Sequence, residues 1–305
     1  MAKMRKFIYI LSFFVFRPLI YVLPFPLYFE LIKIICYLTM PLFYKRREVA
    51  QKNLSLIVDF STEQMDNVLG EGIKNIPLFG FLDFFMDQWT PTLCRRYMRV
   101  EGIEVLHNLL DEKKGVLLAF IHANNFNIVF HCIGYIKKLY CIVFLDRSNP
   151  ISNLHVKIRG GMWENIKPMK FIYLNENDSI SLTIRRLLKE GKLVALSTDG
   201  QQTGNFLYVP FFNKRLKLPL GIFRLGTLFQ APIIPFFSGF DWKDNVFRVW
   251  LGTPILCKTP EEAAEAYGAQ FQKHLKKYPS HWTGWWRMEL MKDEKNEEFF
   301  RIYSI

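Results

Sequence analysis

The segment "FIHANNFNIVF" at residues 120–130 contains the clearest candidate for a catalytic residue in this chain. His122 ends an apolar run, and Asn127 lies five positions further on. A histidine at the end of a buried strand can act as a general base if a neighbouring group fixes its tautomer. If residue 127 lies one turn into a helix, its side chain points back toward the imidazole. The alternative interpretation is that His122 only hydrogen-bonds a loop carbonyl.

The elements that position His122 are predicted from a change of pattern at residue 115. From there on, short apolar runs without polar alternation are joined by helical segments, which is typical of a sheet covered on both faces. The predicted strands are residues 115–121, 140–145, 170–174, 192–198, 207–212, 231–238 and 245–251. We therefore predict an α/β fold with a mostly parallel or mixed central sheet flanked by helices. Ligands collect at the carboxyl ends of strands in such sheets, where His122 and Asp199 lie.

Three helices carry recognisable end signals. "STEQ" at residues 61–64 has the form of a capping box and opens a helix through the Phe-rich segment up to Trp89. Asp178 caps a second helix, which stops at Gly191, and Thr259 caps a third over residues 259–278. The charged tail at residues 292–300 is predicted to be a solvated helix end.

The amino terminus is predicted to be a membrane anchor. Residues 7–44 are strongly apolar, but Arg17, Glu30 and Lys33 divide them into runs shorter than the ~20 residues that a spanning helix needs. We favour a non-cleaved anchor that lies on the bilayer or dips into it. The alternatives are one tilted span over residues 7–29 and a helical hairpin that covers the domain's own core. The predicted organisation is an anchor at residues 1–44 and an α/β domain at residues 45–305.

The net charge indicates the class of partner, and the arrangement of the cysteines indicates the cellular compartment. The 305 residues carry a net charge of +12, and a basic cluster at residues 44–54 follows the apolar region. This combination favours an anionic membrane surface, and the sequence has none of the motifs typical of nucleic-acid binding. The five cysteines are scattered and never spaced as CxxC, which argues against a disulfide framework and a structural zinc site. Small core cysteines in a reducing compartment would place the domain in the cytosol.

A family resemblance covers nearly the whole chain. "HANNFN" resembles the H-x-G-N-W-E motif of the bacterial lipid A biosynthesis acyltransferases, a branch of the lysophospholipid acyltransferase superfamily. His122 and Asn125 match the motif, whereas Phe126 stands for its tryptophan and Asn127 for its acid. Further blocks resemble the family in the same order, at residues 47–54, 146–161, 194–201, 209–221, 231–237 and 278–287.

The resemblance implies a membrane-associated enzyme at the cytoplasmic face of the bacterial inner membrane. Such an enzyme moves a fatty acyl group from an acyl-carrier-protein or acyl-CoA thioester to a hydroxyl or amine of a lipid or glycolipid acceptor. The histidine is the base, and the acceptor attacks the thioester directly, with no metal, no cofactor and no acyl-enzyme. Predicted partners are therefore the bilayer, the acyl donor and the lipid acceptor, without nucleic acid.

The predicted substrate site contains Asn125, Arg147, Asn149, Arg159 and Asp199. The guanidinium groups of Arg147 and Arg159 would suit phosphates of the donor or of a lipid headgroup, because a guanidinium binds an oxyanion through two parallel hydrogen bonds. Their alternative role is that of surface charges. A carboxylate at the end of a strand, as at residue 199, either orients a ligand or caps the next turn.

Asn127 is the important departure from the family motif; Asn124, Asn213 and Leu218 are others. An amide oxygen can accept the imidazole N–H, but a neutral amide does not stabilise the imidazolium as a carboxylate does. Replacing the acid by an amide in a serine-protease triad costs ~10⁴ in turnover, or ~5.5 kcal/mol. Three explanations remain open: Asp199 or Asp146 supports His122, the acceptor is an amine, or the protein is a non-catalytic member of the fold that binds lipid or a partner protein.

Overall fold

The computed structural model describes residues 15, 18–19, 21–82, 88–123, 126–144, 168–174, 180–200 and 205–303. Its α-helices are α1 (Phe25–Thr39), α2 (Tyr44–Ser55), α3 (Thr62–Leu82), α4 (Pro91–Tyr97), α5 (Ile103–Asp111), α6 (Phe126–Gly134), α7 (Ile180–Lys189), α8 (Gly221–Phe229) and α9 (Pro260–Lys277). Its strands are β1 (Met98–Glu101), β2 (Val116–Phe120), β3 (Leu139–Phe144), β4 (Met169–Leu174), β5 (Leu193–Ser197), β6 (Phe206–Phe211), β7 (Lys214–Pro219), β8 (Ile233–Asp241), β9 (Val246–Leu251), β10 (Met288–Lys292) and β11 (Glu298–Ile302).

A seven-stranded sheet in the order β1-β9-β8-β2-β5-β3-β4 forms the centre of the molecule. The five strands from β8 to β4 are parallel, and β9 runs antiparallel to β8. Every residue of β2 is buried, because successive side chains enter different cores. Leu117 packs in a core with α7, α8 and α9, whereas Leu118 packs in one with α1, α5 and α6. The predicted α/β fold with a mixed, helix-flanked sheet is confirmed.

A second sheet in the order β10-β11-β7-β6 was not predicted. The expectation of a helix end at residues 292–300 is wrong, because β11 begins at Glu298 and pairs with both β10 and β7. Asp293 reverses the chain by accepting the backbone N–H groups of Lys295 and Glu297, each at 2.9 Å. Phe300 then enters the core, where it is fully buried. The charged residues that suggested a solvated helix form the turn instead.

The predicted helix ends are confirmed where the structure describes them. Ser61 and Gln64 exchange hydrogen bonds as a capping box, and Thr259 does the same with Glu262. Gly191 follows α7 with a left-handed φ of 65°, a conformation that glycine adopts without a steric penalty. Helix α3 is described as far as Leu82, and Trp89 itself is not helical; residues 83–87 and Asp178 lie outside the described residues.

The prediction that the cysteines form no disulfide framework needs one correction, because two of them are bonded. Cys94 and Cys132 form a disulfide that joins α4 to α6, with Cα atoms 5.5 Å apart. The partners lie 38 residues apart in sequence, so their spacing did not reveal the pairing. Cys36 and Cys141 are free and buried, as predicted for small core residues.

Helix α1 has two apolar faces. With the following 3₁₀ turn it forms a segment, Phe25–Phe43, that is long and apolar enough to cross a membrane by length and composition alone. One face buries Tyr28, Phe29, Ile32 and Cys36 against the domain. Aromatic side chains of this buried face pack against the carboxyl end of β8, where the ring centroids of Phe29 and Phe240 are 5.6 Å apart. The opposite face exposes Leu27, Ile34, Leu38 and, beyond the helix, Leu42.

Candidate active site

The parallel pairing of β2 with β5 brings His122 next to Asp199. Phe120 of β2 and Ser197 of β5 are register partners at the carboxyl ends of these strands. His122 and Asp199 each lie two residues beyond this pair, so the two side chains leave the same edge of the sheet together. The sequence does not reveal this contact, because His122 and Asp199 are 77 positions apart along the chain.

Asp199 holds both the ring and the backbone of His122. The imidazole Nδ1 lies 2.6 Å from Oδ1 of Asp199, and the backbone N–H of His122 donates to both carboxylate oxygens at 3.0 Å. The Asp199 side chain is fully buried, whereas that of His122 is 25 % exposed. A carboxylate at Nδ1 favours the tautomer with a proton on that nitrogen, which leaves Nε2 to accept one.

Residues of the carboxyl-terminal segment keep Asp199 ionised. The indole N–H of Trp282 donates to Oδ2 at 3.0 Å, and Nη2 of Arg287 lies 3.4 Å from the same oxygen. Burial alone would raise the pKa of Asp199. The charge and hydrogen bond of His122, the charge of Arg287 and the Trp282 hydrogen bond outweigh it and hold that pKa well below its ordinary value. Burial lowers the pKa of Arg287, and the Asp199 carboxylate opposes that shift.

The same segment fixes the backbone around His122. The backbone N–H of Thr283 donates to the His122 carbonyl at 3.3 Å, and its hydroxyl donates to that carbonyl as well. Ala123 forms an antiparallel bridge with Trp282. Arg287 in turn donates to the Thr283 hydroxyl at 3.0 Å. The position of the imidazole is therefore set from two sides, by β5 and by the carboxyl-terminal segment.

Ser197 is near the pair but on the wrong side for a nucleophile. Its hydroxyl donates to Oδ1 of Asp199 at 3.0 Å and lies 3.3 Å from Nδ1 of His122. In a Ser-His-Asp triad the serine meets the imidazole nitrogen that does not face the acid. Ser197 shares the acid's nitrogen, so this arrangement supports the orientation of His122 and does not activate a serine.

Asn127 is buried in the first turn of α6, with 2 % of its surface exposed. Among the described residues, His122 has side-chain hydrogen bonds with Asp199 and Ser197, so the carboxylate at Nδ1 comes from the residue two positions beyond β5. Phe126 packs edge-on against the imidazole, with ring centroids 5.5 Å apart.

The other residues predicted for the site have no described position. Asn125, Arg147, Asn149 and Arg159, together with Asp146, lie outside the described residues. Conversely, sequence reasoning assigned no role to Ser197, Trp282, Thr283 or Arg287. The last three lie in the block at residues 278–287 that resembles the family, which was the one available signal for them.

Comparison with known proteins identifies the family of this chain. No curated protein matches the sequence. Residues 2–289, nearly the whole chain, match the family described as bacterial lipid A biosynthesis acyltransferase. With a histidine held at the end of a parallel strand and a match of this length, the chain belongs to the bacterial lipid A biosynthesis acyltransferase family.

Proposed function

We propose that the protein is an active, membrane-associated acyltransferase with His122 as its general base. It moves a fatty acyl group from an acyl-carrier-protein or acyl-CoA thioester to a hydroxyl or amine of a lipid or glycolipid acceptor. The observation that carries the proposal is the contact between Nδ1 of His122 and the buried Asp199 carboxylate. Asp199 thereby provides a carboxylate in place of the motif acid, which this sequence replaces with Asn127.

The proposed reaction needs no group other than the chain and its two substrates. Nε2 of His122 takes the proton of the acceptor while the acceptor oxygen or nitrogen attacks the thioester carbonyl carbon. The new ester or amide bond forms, the carbon–sulfur bond breaks, and the imidazolium returns its proton to the leaving thiolate. Asp199 stabilises the imidazolium between these two steps. A buried carboxylate is suited to this role because its charge acts at short range without competing water.

Substrate contacts are proposed for residues beyond the pair. Arg147 and Arg159 would bind phosphates of the donor or the lipid headgroup, and Asn125 and Asn149 would donate or accept hydrogen bonds beside them. Asn127 would line the site as a neutral side chain in the first turn of α6.

Membrane association is proposed through residues 1–44, with the α/β domain at residues 45–305 held against the cytoplasmic face of the inner membrane. The exposed side of α1 presents Ile34 and Leu38 to solvent, at 55 % and 74 % exposure. Lys74 lies 4.9 Å from the ring centroid of Tyr37 and 4.8 Å from that of Trp242, beside this apolar face. Apolar side chains bordered by cations are what an interfacial helix presents to anionic lipid.

The geometry of α1 favours a position in the plane of the interface over a span. A spanning helix is surrounded by lipid or other spanning segments, whereas α1 packs Tyr28, Phe29, Ile32 and Cys36 against the α/β domain. It does so at the carboxyl end of β8, which runs parallel to β2. This edge also carries His122. The proposed site therefore opens on the side of the domain that meets the bilayer.

The test is acyl transfer by the purified full-length protein in phospholipid nanodiscs. Labelled acyl-carrier-protein and acyl-CoA thioesters are supplied separately, with a panel of lipid A precursors and simpler glycolipids. We expect transfer that His122→Ala abolishes and that the matched variant His107→Ala, an exposed histidine on α5, leaves intact. Equal transfer by the wild type and His122→Ala would refute the mechanism. Lipid binding without transfer from either donor would favour the non-catalytic alternative.

A further inference from the structure

The edge of the central sheet opposite His122 is strongly cationic. This edge is formed by the amino ends of the parallel strands. A strand such as β2 rises ~3.3 Å per residue, so this edge lies roughly 16 Å from the carboxyl ends. The described cations at this edge are Lys113, Lys114, Lys137, Lys138, Lys170, Arg185, Arg186, Lys189 and Lys192. The acids near them, among the residues that the structure describes, are Asp111, Glu112 and Glu190. Positive charge is therefore concentrated on the side that the proposed reaction does not use.

A cleft of 390 Å³ lies within this edge, between the ends of α7 and α8 and the start of β2. Its cationic residues are Lys113, Lys114, Arg185 and Lys189, and no acidic residue lines it among those described. Its apolar lining includes Leu188, Leu228 and Phe229. Leu228 is 63 % exposed, so the cleft offers an apolar surface beside its cations. The volume lies within the range of small-molecule sites.

Ordinary surface roles account for only part of this charge. Lys189 lies in the last turn of α7, where a cation interacts favourably with the helix dipole. Lys114 pairs with Glu112 at 2.6 Å, but both side chains are more than half exposed, so the pair contributes little. Lys113 and Arg185 have no acidic partner among the described residues.

The backbone around the cleft is held in conformations that cost free energy. Lys113 has a φ of 56° and Gln230 a φ of 49°, a left-handed region that side chains other than glycine and asparagine rarely adopt. Gly115 is required as glycine, because a Cβ there would lie 2.3 Å from the carbonyl oxygen of Leu188. Both left-handed residues follow a helix end, where this conformation commonly terminates a helix, so they fix the shape of the cleft wall.

We propose that this cleft binds a phosphorylated ligand that also carries an apolar or planar group. The phosphates contact Lys113, Lys114, Arg185 and Lys189, since ammonium groups act as point charges and guanidinium as a two-pronged donor for phosphate oxygens. The apolar or planar group covers Leu228 and Phe229. Two sources share this chemistry, nucleoside phosphates and single-chain lipid phosphates. The site lies at the opposite edge of the sheet from His122, so it is separate from the proposed acyl-transfer site.

The test is calorimetric titration of the full-length protein with ATP, dodecyl phosphate below its micelle concentration, and inorganic triphosphate. We expect saturable binding of ATP or dodecyl phosphate. The combined substitution Arg185→Glu and Lys189→Glu should weaken it at least tenfold. The matched control is Lys273→Glu with Lys276→Glu, two exposed lysines of α9 that give the same change of net charge and should leave binding unchanged.

Further outcomes separate the parts of the proposal. Leu228→Ser should weaken binding of the organic phosphates without affecting inorganic triphosphate. Tighter binding of ATP identifies a nucleotide as the ligand, and tighter binding of dodecyl phosphate identifies a lipid. Unchanged binding after reversal of the two cations overturns the proposal, as does failure of all three ligands to bind or binding of triphosphate as tight as that of the organic phosphates. Acyl transfer in the absence of added ligand should be the same in all these variants, so the outcome is independent of the proposed enzymatic function.

Discussion

Asp199 contacts His122 twice, at the ring and at the backbone. Its Oδ1 lies 2.6 Å from Nδ1, and the backbone N–H of His122 donates to the same carboxylate at 3.0 Å. One buried charge thereby fixes the tautomer of the imidazole and the direction of the chain that carries it. A family motif with an amide at residue 127 is consistent with catalysis if Asp199 supplies the negative charge.

Asp199→Asn should lower kcat by about 10³- to 10⁴-fold with little change in KM, because the amide does not stabilise the imidazolium. It should also lower the free energy of unfolding by ~3–5 kcal/mol, since the buried Arg287 loses its counter-ion. Steady-state kinetics and chemical denaturation measure the two effects. Asp241→Asn, which removes a partly exposed pair with Arg248, is the control and should leave kcat intact. Wild-type turnover in Asp199→Asn would show that another group supports His122.

Asn127→Asp restores the motif acid but should raise kcat less than threefold. The imidazole Nδ1 already has a carboxylate partner, and residue 127 is 2 % exposed. Burial of a new carboxyl group raises its pKa and lowers stability, because the charged form loses its hydration. Kinetics and thermal unfolding of the variant are compared with those of the wild type. A tenfold or larger gain in kcat would instead identify residue 127 as the position of the orienting acid.

Ile34→Glu with Leu38→Glu should release the protein from anionic vesicles without unfolding it. Both side chains lie on the exposed apolar face of α1 and contribute little to the core. Co-sedimentation with vesicles measures binding, and circular dichroism confirms folding. Leu256→Glu, a leucine of 60 % exposure in another part of the chain, is the control. Unchanged sedimentation of the double variant would assign membrane attachment to a different surface.

The free energy of unfolding should fall as the pH is lowered from 6.5 to 4.5. Burial, together with neighbouring cations, lowers the pKa of His281 to about 4 and that of His274 to about 2. Across this window the unfolded chain binds protons that the folded chain does not, so stability rises with pH. Each histidine contributes up to ~1.4 kcal/mol per pH unit. Denaturant titrations should show a shallower pH dependence in His281→Phe, and an identical slope would contradict the assignment.

Several elements followed from the sequence because their causes are local. Strands β2, β5 and β8 in the middle of the central sheet are buried on both faces, so their residues are almost all apolar. Thr259 and Ser61 cap helices within three residues of their partners. The second sheet did not follow, because β7 and β11 are rich in charged residues. Their burial depends on contacts with distant parts of the chain, since Phe300 of β11 packs in the same core as Phe271 of α9.

The position of His122 at the end of an apolar strand was determined by the sequence alone, since it depends only on neighbouring residues. The identity of its partner was decided by the tertiary structure. The register of β2 against β5 brings Asp199 to the imidazole, and Trp282 and Arg287 reach that carboxylate from 83 and 88 residues further along the chain. Spacing along a chain carries no information about contacts of this kind, because they arise only when separate segments pack around a common core.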